Sequence, residues 1–239
     1  MLTPRLRVLA GPNGSGKSTL AMQLTSKYAV NLYHFLNADE LNKEIAAQHK
    51  TPCPFSIDPA ELVQFVEGST YPVEYKAPFL NSRIQIRDDD FICCDPACVN
   101  SYTSAIIADF LKQQYLIRKI SFSFETVFSH PAKIDILKQA QQLGYRTYMY
   151  FVATESPEIN IGRIQLRVRK KGHGVPEDKT RARYHRCLNQ VKDALPYLNR
   201  AYFFDNTDEN TRFLAEFSKE SGMIFYTSDL PFWFRNHVM

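Results

Sequence analysis

Gly11-Pro12-Asn13-Gly14-Ser15-Gly16-Lys17-Ser18-Thr19 stands close to the start of this 239-residue chain, and its first eight residues fit G-x-x-x-x-G-K-[ST] without a gap. Each part of the pattern has a physical reason. The glycines let the backbone curl so that successive N–H groups point inward at a phosphate, and a helix opening at Lys17 adds the positive end of its dipole. Lys17 then reaches the β- and γ-phosphates, and the Ser18 hydroxyl is placed to ligate Mg²⁺. The apolar run just before the loop predicts a buried strand over 5–10, so the loop joins a strand to a helix, as a phosphate-binding loop must. We therefore expect residues 11–19 to hold ATP or GTP together with Mg²⁺.

Outward from the loop, β-branched and apolar runs alternate with helical patterns. Strands are expected at 5–10, 32–36, 120–127, 146–153, 201–205 and 223–226. Helices are expected at 17–28, 39–49, 101–114, 131–143, 157–169, 176–195 and 209–220. Such alternation implies an α/β fold of the P-loop NTPase, kinase-like type, with a central, mostly parallel sheet flanked by helices. Residues 50–99 break the rhythm. They hold prolines at 52, 54, 59, 72, 78 and 96, an acidic run at 88–90, and four of the five cysteines. A stretch this long without the alternation reads as an insertion after the second strand. The expected organisation is one domain over 1–239 carrying that insertion.

Composition removes several classes. With 44% hydrophobic and 23% charged residues, the chain can bury a core and is not a disordered or fibrous sequence. A net charge of +4 suits anionic small ligands but is too small to call for nucleic acid, which is not an expected partner. No run approaches a membrane span, and the short apolar run near the N-terminus is interrupted by Arg5 and Arg7, unlike a signal peptide. A cytoplasmic protein with free thiols is expected. The spacing of Cys93, Cys94 and Cys98 is not that of a zinc site.

The loop alone does not separate a kinase from a motor. Motors carry an apolar strand ending in a magnesium-binding Asp, whereas residues 120–126 are half polar and end in Glu125-Thr126. No N-K-x-D for base reading is present. What is present is arginine: Arg163 and Arg167 lie four apart on one helix face, and Lys179, Arg183 and Arg186 form a second stripe. Arginines facing the γ-phosphate neutralise charge that spreads during transfer. The alternative is two solvated charged faces. Acidic residues are sparse around 159–175, which favours Arg163 and Arg167 as phosphate clamps. A carboxylate at the carboxyl end of the second strand, Asp39, can take the proton of an attacking hydroxyl there, or else cap the helix it opens. Glu125 is either a ligand-facing or a buried structural carboxylate.

Further stretches carry a family resemblance: Leu36-Asn37-Ala38-Asp39-Glu40, Ser121 to His130 with Glu125-Thr126, Gly144-Tyr145-Arg146, Gly172-His173-Gly174-Val175-Pro176, Arg183-Tyr184, and Ala201 to Asn206. In this order they resemble the zeta-toxin group of P-loop kinases, over roughly 10–45 and 100–210. The resemblance implies a phosphotransferase acting on a hydroxyl of UDP-N-acetylglucosamine or a related sugar nucleotide. It implies Asp39 as the base, Glu125 with Thr126 beside the acceptor, and an antitoxin protein as a partner. His173 stands where many members carry arginine, which leaves the acceptor open. Alternatives are a kinase of another small alcohol, a nucleoside or a polynucleotide end, with Phe65, Tyr71, Tyr75 and Phe79 available for stacking. A nucleotide-binding regulatory module without transfer is a third reading.

Overall fold

The computed structural model describes residues 3–87, 90–170, 172 and 174–239. Asp88 and Asp89 of the acidic run, and Lys171 and His173 beside Gly172, lie outside them. The chain divides into two compact units, one formed by 1–35 with 119–239 and the other by 36–118.

The first unit is built on a seven-stranded sheet. Its strands are β1 (Arg5–Ala10), β2 (His34–Leu36), β6 (Phe122–Thr126), β7 (Arg146–Ala153), β8 (Arg200–Asp205), β9 (Arg212–Ser218) and β10 (Gly222–Phe225), in the order β10-β9-β8-β7-β1-β6-β2. β1 lies between β6 and β7 and runs parallel to both, and β8 is parallel to β7. A strand covered on both faces is mostly apolar, and Leu6, Val8, Leu9 and Ala10 are fully buried. On one face α1 (Lys17–Ser26) lays Leu20, Ala21 and Leu24 against Leu9, Tyr150, Val152 and Phe204. α6 (Ala132–Gln142), α7 (Pro157–Arg169), α8 (Glu177–Asn189), the short α9 (Val191–Ala194) and the C-terminal α10 (Phe232–His237) complete the unit. Trp233 and Phe234 of α10 pack their rings on Phe151 and Phe203. The α/β fold with a central, mostly parallel sheet is as expected.

Two elements depart from the sequence reading. Within 209–220, expected as a helix, residues 212–218 form the antiparallel strand β9. Glu, Leu, Ala and Lys favour a helix locally, but pairing along β8 offers more. Phe213 stacks among Phe204, Tyr202 and Tyr226, and Glu216 faces Arg200 across the strands at 2.5 Å. The single helix expected over 176–195 ends at Asn189 and resumes as α9, followed by a 3₁₀ turn at Leu195–Tyr197, where Pro196 lacks the N–H to continue it.

The second unit contains α2 (Ala38–Gln48), β3 (Lys50–Pro52), α3 (Pro59–Gly68), α4 (Val73–Leu80), β4 (Ile84–Arg87), β5 (Phe91–Cys94) and α5 (Ser101–Ile117). The stretch read as an insertion thus has its own antiparallel sheet, in the order β3-β5-β4. Asn100 starts α5 with a capping box to Thr103, and Asp58 with Pro59 starts α3. Among the aromatics named for stacking, Phe79 is buried, Phe65 packs on Phe110, and the Tyr71 hydroxyl donates to Asp109 at 2.5 Å. Tyr75 lies flat on Tyr102, with ring centroids 3.9 Å apart. No helix among the described residues is long and apolar enough to cross a membrane.

Candidate nucleotide site

Residues 11–16 join the buried end of β1 to the start of α1, and their backbone takes the left-handed conformations the motif anticipates. Gly14 has φ 78° and Gly16 has φ 97°. A Cβ on Gly14 would sit 2.6 Å from the Asn160 carbonyl oxygen, and one on Gly16 would sit 2.3 Å from the Asn206 side-chain nitrogen. Both positions therefore exclude any side chain, by conformation and by space. No side chain caps α1. Its first turn faces the loop with its N–H groups, the arrangement that attracts phosphate oxygens.

The functional side chains converge on that turn. Lys17 is buried, and its ammonium donates to the Pro12 carbonyl across the loop at 2.9 Å. Ser18 lies one residue further along α1, and its hydroxyl donates to Glu125 Oε2 at 3.0 Å. Register explains this contact: β6 is parallel to β1 with Leu9 opposite Glu125 and Ala10 opposite Thr126, so β6 ends beside the loop. Thr126 uses its hydroxyl to accept the Phe128 N–H, a local turn contact.

Magnesium and a triphosphate fit these donors. The Ser18 hydroxyl and the Glu125 carboxylate are adjacent hard oxygen ligands of the kind Mg²⁺ takes. In the loop, Asn13 Oδ1 and Ser15 Oγ are buried and have no partner among the described residues. Orphaned polar atoms of this kind carry a cost until a ligand satisfies them.

Two residues not read as site residues brace the loop. Asn206, just past β8, donates from its side-chain amide to the Ser15 carbonyl at 2.8 Å and from its backbone N–H to the Ala153 carbonyl at 2.8 Å. Asn160 of α7 is fully buried, accepts the Thr154 hydroxyl at 2.6 Å, and backs Gly14. The sequence signal for Asn206 was its place at the end of a strand, in a stretch that shares the family resemblance; for Asn160 there was none. Asp205, beside Asn206, is buried and accepts Trp233 Nε1 at 2.9 Å, the Thr207 hydroxyl at 2.8 Å and Arg212 at 3.3 Å.

The arginines divide. Arg163 spends its guanidinium on three backbone carbonyls, those of Asn206 at 2.6 Å and of Thr207 and Asp208 at 3.2 Å each. It holds the loop after β8. Arg167, one turn on, is exposed, and its guanidinium has no bonding partner among the described residues. Arg183 is half-buried on α8. Asp39 belongs to the second unit. The cap of α2 is Asn37, whose Oδ1 accepts the Asp39 N–H at 2.9 Å and the Glu40 N–H at 3.4 Å. The Asp39 carboxylate is exposed in the first turn and is not the cap.

Comparison with solved structures places this arrangement. Over 94% of the chain, and 71% of the other, it superimposes at a TM-score of 0.50 and 14% identity on a chain from the PezAT chromosomal toxin–antitoxin system of Streptococcus pneumoniae. It has the P-loop kinase-like fold. It also superimposes on chains of the AvrRxo1-ORF1:AvrRxo1-ORF2 complex, with sulphate ions at a TM-score of 0.55 and 15% identity, and with ATP at 0.54 and 14%. Those alignments cover 95% and 94% of this chain and 62% and 61% of the other. In sequence, it is 32% identical over 65 residues to an uncharacterized protein of Haemophilus influenzae, an alignment over 27% of this chain. The chain spans 46% of that curated relative's length. No family model matches.

Proposed function

We propose that this chain is a P-loop phosphotransferase that moves the γ-phosphoryl group of ATP or GTP, with Mg²⁺, to a hydroxyl of a small acceptor. The observation that carries the reading is the Ser18–Glu125 contact at the open end of α1, because it places two oxygen donors where the ion of a triphosphate is needed. Bound there, Mg²⁺ would neutralise phosphate charge. The loop amides and Lys17 hold the β- and γ-phosphates once the Lys17 ammonium exchanges the Pro12 carbonyl for phosphate oxygen. Arg167, without a bonding partner among the described residues, supplies positive charge to the γ-oxygens. Arg163 acts on position, by fixing the loop that carries Asn206. Asp39 is the base: an exposed carboxylate, relieved of the capping role by Asn37, can accept the acceptor's proton.

The acceptor we propose is UDP-N-acetylglucosamine or a related sugar nucleotide, on the resemblance of 36–40, 121–130 and 172–184 to the zeta toxins. Glu125 and Thr126 border its site. The fold shared with a toxin–antitoxin structure and with a two-component complex that holds ATP supports ATP as donor and an antitoxin-like protein as partner. The site is tested by incubating wild type and Asp39→Asn with labelled ATP, Mg²⁺ and a panel of sugar nucleotides, nucleosides and oligonucleotide ends. Wild type is expected to phosphorylate a sugar nucleotide, and the variant to bind ATP without forming product. Product on an oligonucleotide end alone would reassign the acceptor; no product from any pool would leave a nucleotide-binding module.

A further inference from the structure

The seven-stranded sheet ends at β10 in an edge that the proposed transfer does not use. β10 runs antiparallel to β9, with Gly222 opposite Ser218 and Phe225 opposite Ala215, and no strand among the described residues lies beyond it. Open edges are commonly blunted by charged side chains, by proline or by a bulge that turns them away. Gly222-Met223-Ile224-Phe225-Tyr226 carries neither charge nor proline. Its large side chains stand out instead: Ile224 is 44% exposed, Phe225 45% and Tyr226 57%.

Backbone direction decides what can dock on this edge. The Tyr226 N–H donates to the Leu214 carbonyl at 2.9 Å and continues the β9 register by one residue. Bonded pairs alternate along an antiparallel ladder. Gly222, Ile224 and Tyr226 therefore turn their N–H and C=O groups to β9, and Met223 and Phe225 turn theirs outward. A second β10, antiparallel about a two-fold axis at Ile224, answers every outward group: Met223 of each copy meets Phe225 of the other. A register centred on Met223 or on Phe225 would pair only one of these residues in each copy. The side chains fit the first register too. Ile224 meets Ile224 at the axis, and each Met223 thioether lies beside the other copy's Phe225 ring, a favourable sulfur–aromatic pair. Tyr226 falls opposite Gly222, where an added Cβ would meet nothing within 4 Å, and a ring laid over an edge glycine shields its backbone. The patch is thus complementary to itself, as a two-fold contact requires. Three half-exposed side chains, Met223 and the strand backbone amount to roughly 500 Å² a copy, or about 1,000 Å² in all. That is the size of a weak, reversible contact, with a Kd of about 10–100 µM.

We propose that β10 is a self-association edge, through which two copies of this chain pair antiparallel about Ile224 and join their sheets into one. The inference stands apart from the transfer reaction and needs no activity to be tested. Sedimentation equilibrium of the full-length chain over about 2–200 µM is expected to show a monomer–dimer equilibrium. Ile224→Lys sets like charges against each other at the axis and is expected to weaken the dimer about tenfold or more, as is Ile224→Glu. An equimolar mixture of the two variants is expected to associate within about threefold of wild type, a rescue that a misfolded chain could not give. Under mild oxidation Ile224→Cys is expected to form a disulfide with the same position of the second copy, located by mass spectrometry. A non-hydrogen-bonded antiparallel pair holds its Cα atoms about 4.5 Å apart, within disulfide reach. Met223→Cys is expected to form none, because the two copies of that position lie diagonally across the ladder, beyond about 7 Å. A wild-type chain that stays monomeric, a dimer indifferent to both charged variants, a mixture that stays dissociated, or a disulfide at position 223 in place of 224 would each overturn the proposal.

Discussion

Asn206 donates its side-chain amide to the main-chain carbonyl of Ser15 at 2.8 Å and so ties the end of β8 to the middle of the phosphate-binding loop. The tie continues outward. Arg163 holds the Asn206 carbonyl, and Asp205 is gripped by Thr207, Arg212 and the indole of Trp233. A residue six from the C-terminus is thereby linked through three side chains to a loop near the N-terminus.

That linkage makes Asn206→Ala a nucleotide-binding variant. Losing one buried hydrogen bond costs about 1–2 kcal/mol, read as roughly a tenfold weaker ATP affinity. Trp233→Phe keeps most of the packing on Phe151 and removes the N–H to Asp205. Leaving a buried carboxylate short of a donor costs about 1–3 kcal/mol of stability. Thermal unfolding and ATP titration of both variants check this; an Asn206→Ala chain that binds ATP like wild type would detach Asn206 from the site.

Gly16 and Gly162 predict opposite signs for one substitution. At Gly16 a methyl group meets Asn206 at 2.3 Å in a backbone at φ 97°, so Gly16→Ala is expected to cost about 1–3 kcal/mol of strain and to abolish ATP binding. At Gly162, inside α7, a methyl group meets nothing within 4 Å. Gly162→Ala is expected to stabilise by about 0.5–1 kcal/mol, as alanine does in helix interiors. Denaturant midpoints and ATP titrations of the pair decide it.

Glu125→Gln separates an ion-holding role from an acceptor-holding one. If Glu125 shares Mg²⁺ with Ser18, the variant is expected to need about tenfold or more Mg²⁺ for half-maximal turnover, with the acceptor KM little changed. A change confined to the acceptor KM assigns Glu125 to the acceptor alone. Mg²⁺ titrations at saturating acceptor make the measurement.

Alkaline pH is expected to weaken the fold. Burial pushes the Cys53 thiol up to about 11 and the Cys94 thiol up to about 12, and it raises Cys187, Tyr145 and Tyr184 as well. Above about pH 9 the unfolded chain releases thiol protons that the folded chain retains, so stability is intact below that pH and falls as pH rises through the folded values. Urea midpoints at pH 8 and pH 10.5 test the sign. An unchanged midpoint in wild type, or no flattening of the loss in Cys53→Ala, contradicts it.

The parts of the site legible in the sequence were those fixed by local backbone chemistry. Gly14, Gly16, Lys17 and Ser18 follow from what a loop around a phosphate requires, and β1 from an apolar run that only a doubly covered strand needs. The strand at 212–218 was not legible, because its helix-favouring residues are overruled by partners in β8 and by aromatic contacts distant in sequence. Asn206 and Trp233 were hidden for the same reason: their roles come from register and burial rather than spacing. The clamp expected of Arg163 rested on helix spacing and on the scarcity of nearby acidic residues, neither of which says whether carbonyls of another loop already occupy the side chain.

Calorimetric titration of Mg·ATP into wild type and Lys17→Met tests the account at its root. It predicts one equivalent bound by wild type and affinity lost by about 100-fold or more in the variant, since a buried ammonium–phosphate contact is removed. No binding by wild type, or equal binding by both chains, would contradict it.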